Sequence, residues 1–467
     1  MKRLFGTDGI RGTAGEFPLD PTTVERIGRA LTLSLVSAAG RPPRVVLGRD
    51  TRRSGPALEE ALVSGIEAAG GRADRGGVLT TPAVACLARL LGYDAGVVIS
   101  ASHNPYRDNG IKLFSGQGEK LPDRLEAAIE RRVLDGDAAG GMDHDAGDHA
   151  GWRPAAGQAP PPEALHPEDL HERYLAWLSG TVQQDASFRG LRLVLDCANG
   201  AASVLAPELF RRLGAEAITL SASPDGRNIN EGCGALYPQA LAAEVTRCQA
   251  GLGLAFDGDA DRCIVVDASG RVLDGDYILY LMARDLKRAA RLPGDLIVGT
   301  VMSNLWLEQA LHAEGIRMLR APVGDKYVLE EMLRDGVVLG GEQSGHIIFL
   351  DTATTGDGLL TGLRVADLLR RTGLDLAAWT ATVRPCPQIL VNVPVRTRPP
   401  LESHPTIGPA IRDEEIRLGG RGRLLVRYSG TEPKARIMVE GESRNTVEEC
   451  AARLQSVIQR EIGQEPT

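Results

Sequence analysis

The chain has 467 residues, of which 43% are hydrophobic, 24% charged and only 4% aromatic, with a formal net charge of −8. Ordinary globular composition at this length implies three or four domains of about 100–150 residues, with cores built from Leu, Val, Ile and Ala. The acidic balance argues against a general nucleic-acid or anionic-membrane surface but leaves room for a local basic pocket around an anionic small molecule. No run approaches the ~18 apolar residues of a membrane span. The N-terminal "MKRLFGTDGIRG" lacks an apolar secretory core, and seven scattered cysteines without a C-x-x-C pair fit reduced thiols in a cytoplasmic chain.

In chain order, "RLFGTDGIRGTAG" reads as a glycine-rich loop carrying Arg3 and Arg11. From Arg44 follows an apolar strand, a polar turn, an amphipathic helix with Leu58, Ala61, Leu62, Gly65 and Ile66 on one face, a glycine and a second apolar run. The same grammar returns from Leu191 and from Asp295. Strand–helix–strand units of this length imply helix-covered sheets, so three related α/β domains are expected. In "VVISASHNPYRDNGIK" an apolar strand ends in a small polar turn, bringing Ser102 and His103 together with Lys112 downstream. The turn serves equally as an ordinary strand–helix connection or as the seat of a nucleophile. Residues 135–167, rich in Gly, Ala, Asp and Pro, read as a linker, with His144 and His149 solvated among aspartates.

In "AFDGDADRCIVV", residues 255–266, Asp257, Asp259 and Asp261 alternate with small residues between apolar flanks. Three carboxylates this close repel unless they are solvated or a cation neutralises them, and oxygen-only ligands suit Mg²⁺ or Mn²⁺. An EF-hand fails, since Arg262 and Ala268 stand where the loop needs Gly and Glu. In "GGEQSGHIIF", residues 340–349, the spacing predicts Glu342, Ser344 and His346 on one side of an extended segment, a lining suited to a polyhydroxylated ligand. After about Trp379 the pattern changes. "QILVNVPVRT" and "RGRLLVRYSGTEPKARIMVEGE" read as strands, and Val447, Cys450, Ala451, Leu454, Val457 and Ile458 mark a closing helix with Asn445 as its expected N-cap. Between those strands Arg427, Ser429, Gly430 and Thr431 have the composition of an anion nest. One mechanism uses every piece: a serine carries a phosphoryl group beside a cation, and a separate nest holds a second phosphate of the same sugar.

The ordered set "FGTDGIRG", "ISASHNPYRDNGIK", "AFDGDADR", "GGEQSGH" and "RYSGTEP" resembles the α-D-phosphohexomutase superfamily from Phe5 to about Gly441, including "NINEGCGALYP" and "TATTGDG" between them. The likeness is strongest to bacterial members that interconvert glucosamine 6-phosphate and glucosamine 1-phosphate through a 1,6-bisphosphate, for amino-sugar and cell-wall precursor synthesis. It implies an α/β fold of three related α/β domains with mixed sheets plus a smaller C-terminal α+β domain around one central cleft. The boundaries expected are 1–155, 156–254, 255–376 and 377–467. It further implies Ser102 as phosphoserine and one Mg²⁺ held by Asp257, Asp259, Asp261 and Ser102. Arg11, His103, Lys112 and His346 would be catalytic. Arg262, Lys326, Glu342, Ser344, His346, Arg427, Ser429, Gly430 and Thr431 would bind substrate. A glucosamine or glucose 1,6-bisphosphate activator, a hexose-phosphate substrate, a cytoplasmic setting and a homodimer complete the expectation, with no nucleic-acid or membrane partner. Members acting on mannose or glucose phosphates remain in competition, as do an aspartyl-type sugar phosphatase using Asp257 and a non-catalytic sugar-phosphate sensor.

Overall fold

The computed structural model describes residues 4–6, 8–39, 41–135, 163–183, 187–429 and 433–464. The first run of elements is β1 (Phe5–Gly6), β2 (Gly9–Thr13), α1 (Pro21–Ala39), β3 (Arg44–Arg49), α2 (Gly55–Ala68), β4 (Arg72–Val78), α3 (Thr81–Leu90), β5 (Ala95–Ile99), β6 (Asp108–Ser115) and α4 (Asp123–Asp135). These strands form one sheet in the order β1-β2-β6-β5-β3-β4. Strand β3 runs parallel to β4 and β5, whereas β6 pairs antiparallel with both β5 and β2. All five residues of β5 are buried, as expected of a strand covered on both faces. Val45, Leu47, Val97 and Ile99 face a cluster from α1, α2 and α4, and α3 packs against β3 and β5. On α2 the buried side chains include Leu58, Leu62 and Ile66, the face read from the sequence.

The second run is α5 (Pro167–Gly180), β7 (Arg192–Asp196), α6 (Ala202–Arg212), β8 (Glu216–Leu220), α7 (Gln239–Arg247), β9 (Leu252–Phe256), β10 (Cys263–Asp267) and β11 (Val272–Leu273). Their sheet order is β11-β10-β9-β7-β8. The boundary expected between 254 and 255 falls inside β9, which pairs parallel with β7 and antiparallel with β10. The aspartate loop is thus the hairpin of the second sheet and not the opening of the third; only long-range pairing distinguishes the two. The third run is α8 (Gly275–Arg288), β12 (Leu296–Thr300), α9 (Leu305–Ala313), β13 (Arg317–Ala321), α10 (Asp325–Asp335), β14 (Leu339–Gly341), β15 (Ile347–Phe349), α11 (Gly358–Thr372) and α12 (Leu376–Trp379), with sheet order β13-β12-β14-β15.

The last run is β16 (Gln388–Pro394), α13 (Ile407–Leu418), β17 (Gly422–Tyr428), β18 (Lys434–Gly441) and α14 (Arg444–Ile462), with an antiparallel sheet in the order β16-β18-β17. Val447, Cys450, Ala451, Leu454 and Ile458 of α14 close its core. The N-cap of α14 is Ser443, whose hydroxyl accepts from the Thr446 N–H, and not Asn445, which lies inside the helix. A serine one residue before the first helical position satisfies an orphan N–H that Asn445 is too far along to reach. By compactness the chain divides into one unit of Met1–Val301 and Met318–Ala381 and a second of Met302–Arg317 and Thr382–Thr467. All seven cysteines are free thiols. Among the described residues no helix is long and apolar enough to cross a membrane. Arg3, His144, His149, Gly430 and Thr431 lie outside the described residues.

Candidate active site

Strand β5 delivers the chain into a turn where Ser102 adopts a left-handed conformation, φ +52°, uncommon for a residue with a side chain and held only where surroundings enforce it. Ser102 is buried, and its Oγ donates to Asp257 Oδ2 at 2.7 Å. The Nδ1 of His103 lies 3.4 Å from the same hydroxyl. Two segments more than 150 residues apart thus meet at one oxygen.

Asp257, Asp259 and Asp261 are buried in the β9–β10 loop, and each offers a carboxylate oxygen within 4.8 Å of the others. The loop closes on Ser102 because residue 258 is glycine; a Cβ there would come within 2.5 Å of the Ser102 carbonyl oxygen. Asp257 Oδ1 accepts from the Arg262 N–H at 3.2 Å. Asp259 Oδ2 accepts from Thr81 Oγ1 at 2.6 Å and from Lys112 Nζ at 2.9 Å, and Lys112 also lies 3.3 Å from Asp261 Oδ2. Oδ1 of Asp259 and Oδ1 of Asp261 are buried without a hydrogen-bond partner. Burial, reinforced by Asp261 and Asp259, drives the Asp257 carboxyl well above its ordinary pKa. Burial also opposes ionisation of Asp261, yet Lys112, His346 and Arg262 outweigh it and hold that carboxyl well below the usual range. Opposite shifts on carboxyls in such proximity show that their mutual repulsion is only partly relieved by the basic groups around them. Unpartnered buried carboxylate oxygens in an all-oxygen donor set fit a hard divalent cation.

The remaining basic groups surround this centre. Arg11 Nη1 donates to the Ala101 carbonyl at 2.9 Å and to Asn104 Oδ1 at 3.2 Å, and its Nη2 pairs with Asp8. Arg262 Nε lies 3.8 Å from Asp261 Oδ1. Burial, aided by Arg262 and Arg11, lowers the His103 pKa to about 4. Gly356 N–H donates to Nε2 of buried His346 at 3.0 Å, so the neutral ring carries its proton on Nδ1, 3.8 Å from Asp261 Oδ2. Residues 342–345 form a turn between β14 and β15 and not the extended segment expected. The Gly345 N–H bonds the Glu342 carbonyl at 3.0 Å, turning His346 inward while Ser344 stays exposed. Ser344 Oγ still lies 3.4 Å from Glu342 Oε2, and Glu342 Oε1 accepts from Gly324 N–H at 3.0 Å. Lys326, at the start of α10, pairs with Asp123 of α4 and lies 4.0 Å from Glu330; among the described residues no hydrogen bond or ion pair ties it to the aspartate loop.

Sequence reasoning missed Asp8, Lys120 and Asp325. Asp8 lies 3.5 Å from Lys112, while Lys120 Nζ reaches Asp8 Oδ1 at 2.8 Å and Asp325 Oδ2 at 2.6 Å. Burial resists the Asp8 charge, but Lys112, Lys120 and Arg11 hold its carboxyl far below the usual range. "TATTGDG" contributes Gly356, where a Cβ would stand 2.5 Å from His346 Nε2. In the second unit, Arg427 and Arg436 face each other across β17 and β18 and line a cavity of about 30 Å³. Burial and Arg436 together lower the Arg427 pKa. Ser429 is buried at the end of β17, its N–H bonded to the Lys434 carbonyl at 2.8 Å.

The four domain families of phosphoglucomutase/phosphomannomutase match in order: α/β/α domain I over residues 2–139, domain II over 172–270, domain III over 274–385 and the C-terminal domain over 390–456. The chain belongs to the phosphoglucomutase/phosphomannomutase family, an isomerase family of hexose-phosphate chemistry. Full-length relatives within it are phosphoglucosamine mutases. The one from Solibacter usitatus is 47% identical over 464 residues, covering 99% of this chain and 100% of its own. That from Moorella thermoacetica is 49% identical over 457 residues, covering 98% and 99%. A phosphoglucomutase/phosphomannomutase family protein from Burkholderia thailandensis superposes with TM-score 0.77 at 25% identity, over 99% of this chain and 100% of that one. N-acetylphosphoglucosamine mutase of Aspergillus fumigatus, solved with GlcNAc-6P and magnesium, shares the fold with TM-score 0.64 at 21% identity, over 98% and 96%.

Proposed function

We propose that the chain interconverts glucosamine 6-phosphate and glucosamine 1-phosphate, the activity of its phosphoglucosamine mutase relatives. The observation that carries the reading is the 2.7 Å contact of Ser102 Oγ with Asp257 inside the aspartate trio. Ser102 carries a phosphoryl group in the resting enzyme. The free sugar hydroxyl of the hexose phosphate attacks that phosphorus, the P–O bond to Ser102 breaks, and a 1,6-bisphosphate forms. After the bisphosphate turns over, its other phosphoryl group returns to Ser102, leaving the isomeric monophosphate. Asp257, Asp259, Asp261 and Ser102 would hold one Mg²⁺, which when bound would supply neutralising charge to the phosphoryl group.

Lys112 adds a buried cation beside the Asp259 and Asp261 carboxylates, and Arg11 braces the serine turn through the Ala101 carbonyl. His103 and His346 present ring nitrogens around the centre as proton carriers for Ser102 and the sugar hydroxyl. Glu342, Ser344 and His346 address the sugar, with Arg262 and Lys326 contributing charge. Arg427, Ser429, Gly430 and Thr431 hold the phosphate that is not transferred, where a planar guanidinium forms paired hydrogen bonds. A glucosamine or glucose 1,6-bisphosphate restores phosphoserine lost to water, and a chain handling such sugar phosphates works in the cytoplasm.

The test is intact-protein mass spectrometry of wild type and Ser102→Ala, with turnover on glucosamine, glucose and mannose 6-phosphates. One phosphate on wild type, none on the variant, and a mutase rate lower by several orders of magnitude are expected. Near-normal turnover by Ser102→Ala sinks the reading. Faster turnover on glucose or mannose phosphate moves the substrate within the family, and stoichiometric release of inorganic phosphate points instead to a phosphatase.

A further inference from the structure

Ser102 is held by its backbone at both ends, and the groups that hold it touch none of the reacting oxygens. Its N–H donates to Ser100 Oγ at 2.9 Å, and that hydroxyl in turn donates to Asp50 Oδ2 at 2.6 Å. Its carbonyl oxygen accepts from Arg52 Nη2 at 2.9 Å and from Asn230 Nδ2 at 2.9 Å. Arg52 is wholly buried, and all five guanidinium N–H groups are used. Nε meets Asp50 Oδ2 at 2.8 Å, Nη2 also meets the Asn104 carbonyl at 2.8 Å, and Nη1 meets the carbonyls of Asp108, at 2.9 Å, and Pro105. One side chain therefore gathers four carbonyl oxygens of the serine turn.

Asn230 approaches the same turn from "NINEGCGALYP", a segment of the second α/β run that the reading of the site leaves without a role. Its amide reaches the Asn104 carbonyl at 3.3 Å besides that of Ser102. Only an NH₂ can donate to two carbonyls, so the amide orientation is chemically determined. Asn230 itself sits at φ +59°, a left-handed conformation that Asn tolerates better than most residues.

We propose that Arg52 and Asn230 are positioning residues that lock Ser102 in its left-handed conformation, so that its oxygen stays aimed at the aspartate loop through every gain and loss of the phosphoryl group. The lock grips the backbone because Oγ must stay free to exchange phosphate. A displacement of about 1 Å at a reacting atom can cost on the order of 100-fold in rate. This inference rests on Ser102 being the phosphoryl carrier.

The experiment compares Asn230→Asp, Asn230→Gly and Arg52→Lys with wild type, measuring kcat, KM and thermal midpoint, and the single-turnover transfer of radiolabelled phosphate from the protein to glucosamine 6-phosphate. Asp and Gly both accept a left-handed backbone, so these variants remove the amide without straining the chain. Asn230→Asp, which sets a carboxylate against two carbonyls, should lose at least about 10-fold in kcat and in single-turnover rate. Its KM should stay within about threefold, with the thermal midpoint nearly unchanged. Asn230→Gly should lose less in the same direction, and Arg52→Lys more. Wild-type transfer rates in both Asn230 variants overturn the inference, as does a loss confined to KM or one matched by a collapse of the thermal midpoint. Labelled phosphate retained by Ser102→Ala would instead overturn the assignment of Ser102, so the two failures are distinguishable.

Discussion

Replacing Lys112 by Gln removes the buried cation that the carboxylate cluster depends on. Its Nζ lies 2.9 Å from Asp259, 3.3 Å from Asp261 and 3.5 Å from Asp8, and only 2% of its side chain is exposed. Burial alone would lower its pKa, but Asp259, Asp8 and Asp261 raise it well above the ordinary lysine range, so the group stays charged throughout the working pH range. Gln keeps a donor and most of the volume, so the loss isolates the charge. Breaking a buried pair on one side costs about 3–5 kcal/mol, or roughly 6–20 °C in the midpoint of a cooperative unit of ~150–250 residues. Lys112 and a divalent cation neutralise the same carboxylates, the lysine through Oδ2 of Asp259 and Asp261 and the cation through the oxygens left without a partner, and are partly interchangeable. Magnesium at 100 times its dissociation constant stabilises by about 2.7 kcal/mol, and the variant, having lost a competing charge, should bind it more tightly. Differential scanning calorimetry in EDTA and in millimolar Mg²⁺ measures both effects. The gap between wild type and variant should be widest in EDTA and narrow with magnesium. A gap in EDTA worth less than about 1 kcal/mol, or one indifferent to magnesium, refutes the reasoning.

Gly356→Ala should fold but lose at least about 10-fold in turnover, since the new methyl stands 2.5 Å from His346 Nε2 and must push the ring from the cluster; steady-state kinetics at wild-type values would show the ring placement to be irrelevant. Arg427→Lys keeps charge but loses the planar fork, and kcat/KM for glucosamine 6-phosphate should fall by the equivalent of about 1–3 kcal/mol; unchanged kinetics remove Arg427 from phosphate binding. Burial raises the Asp357 carboxyl to about 6 despite hydrogen bonds from the Leu360 N–H and the Tyr174 hydroxyl. Its folded pKa exceeds the unfolded value, so the stability it contributes is full below about pH 4 and is lost as pH rises through about 6. Asp357→Asn, which keeps the N-cap of α11, should erase that slope in thermal midpoint against pH, and an unaltered slope would assign it elsewhere.

Much of the local architecture was legible in the residues. The buried face of α14, the strand ending at Ile99 and the three-aspartate loop follow from period, turn chemistry and the mutual repulsion of adjacent carboxylates, all of which act over a few residues. Period also misled, since Glu342, Ser344 and His346 alternate in sequence yet occupy a hairpin turn that buries one and exposes another. What the sequence by itself determined is the inventory of chemistry and the short-range conformations that present it: an apolar strand feeding a serine turn, and a carboxylate loop. Only the tertiary structure decided which charges neutralise which. Lys112 reaches Asp259 across 147 residues, Lys120 joins Asp8 to Asp325, and the Ser102 carbonyl finds Arg52 and Asn230 on opposite sides in sequence. The ionisation of a buried group depends on distance through space and on lost hydration, and neither is set until segments remote in the chain pack together.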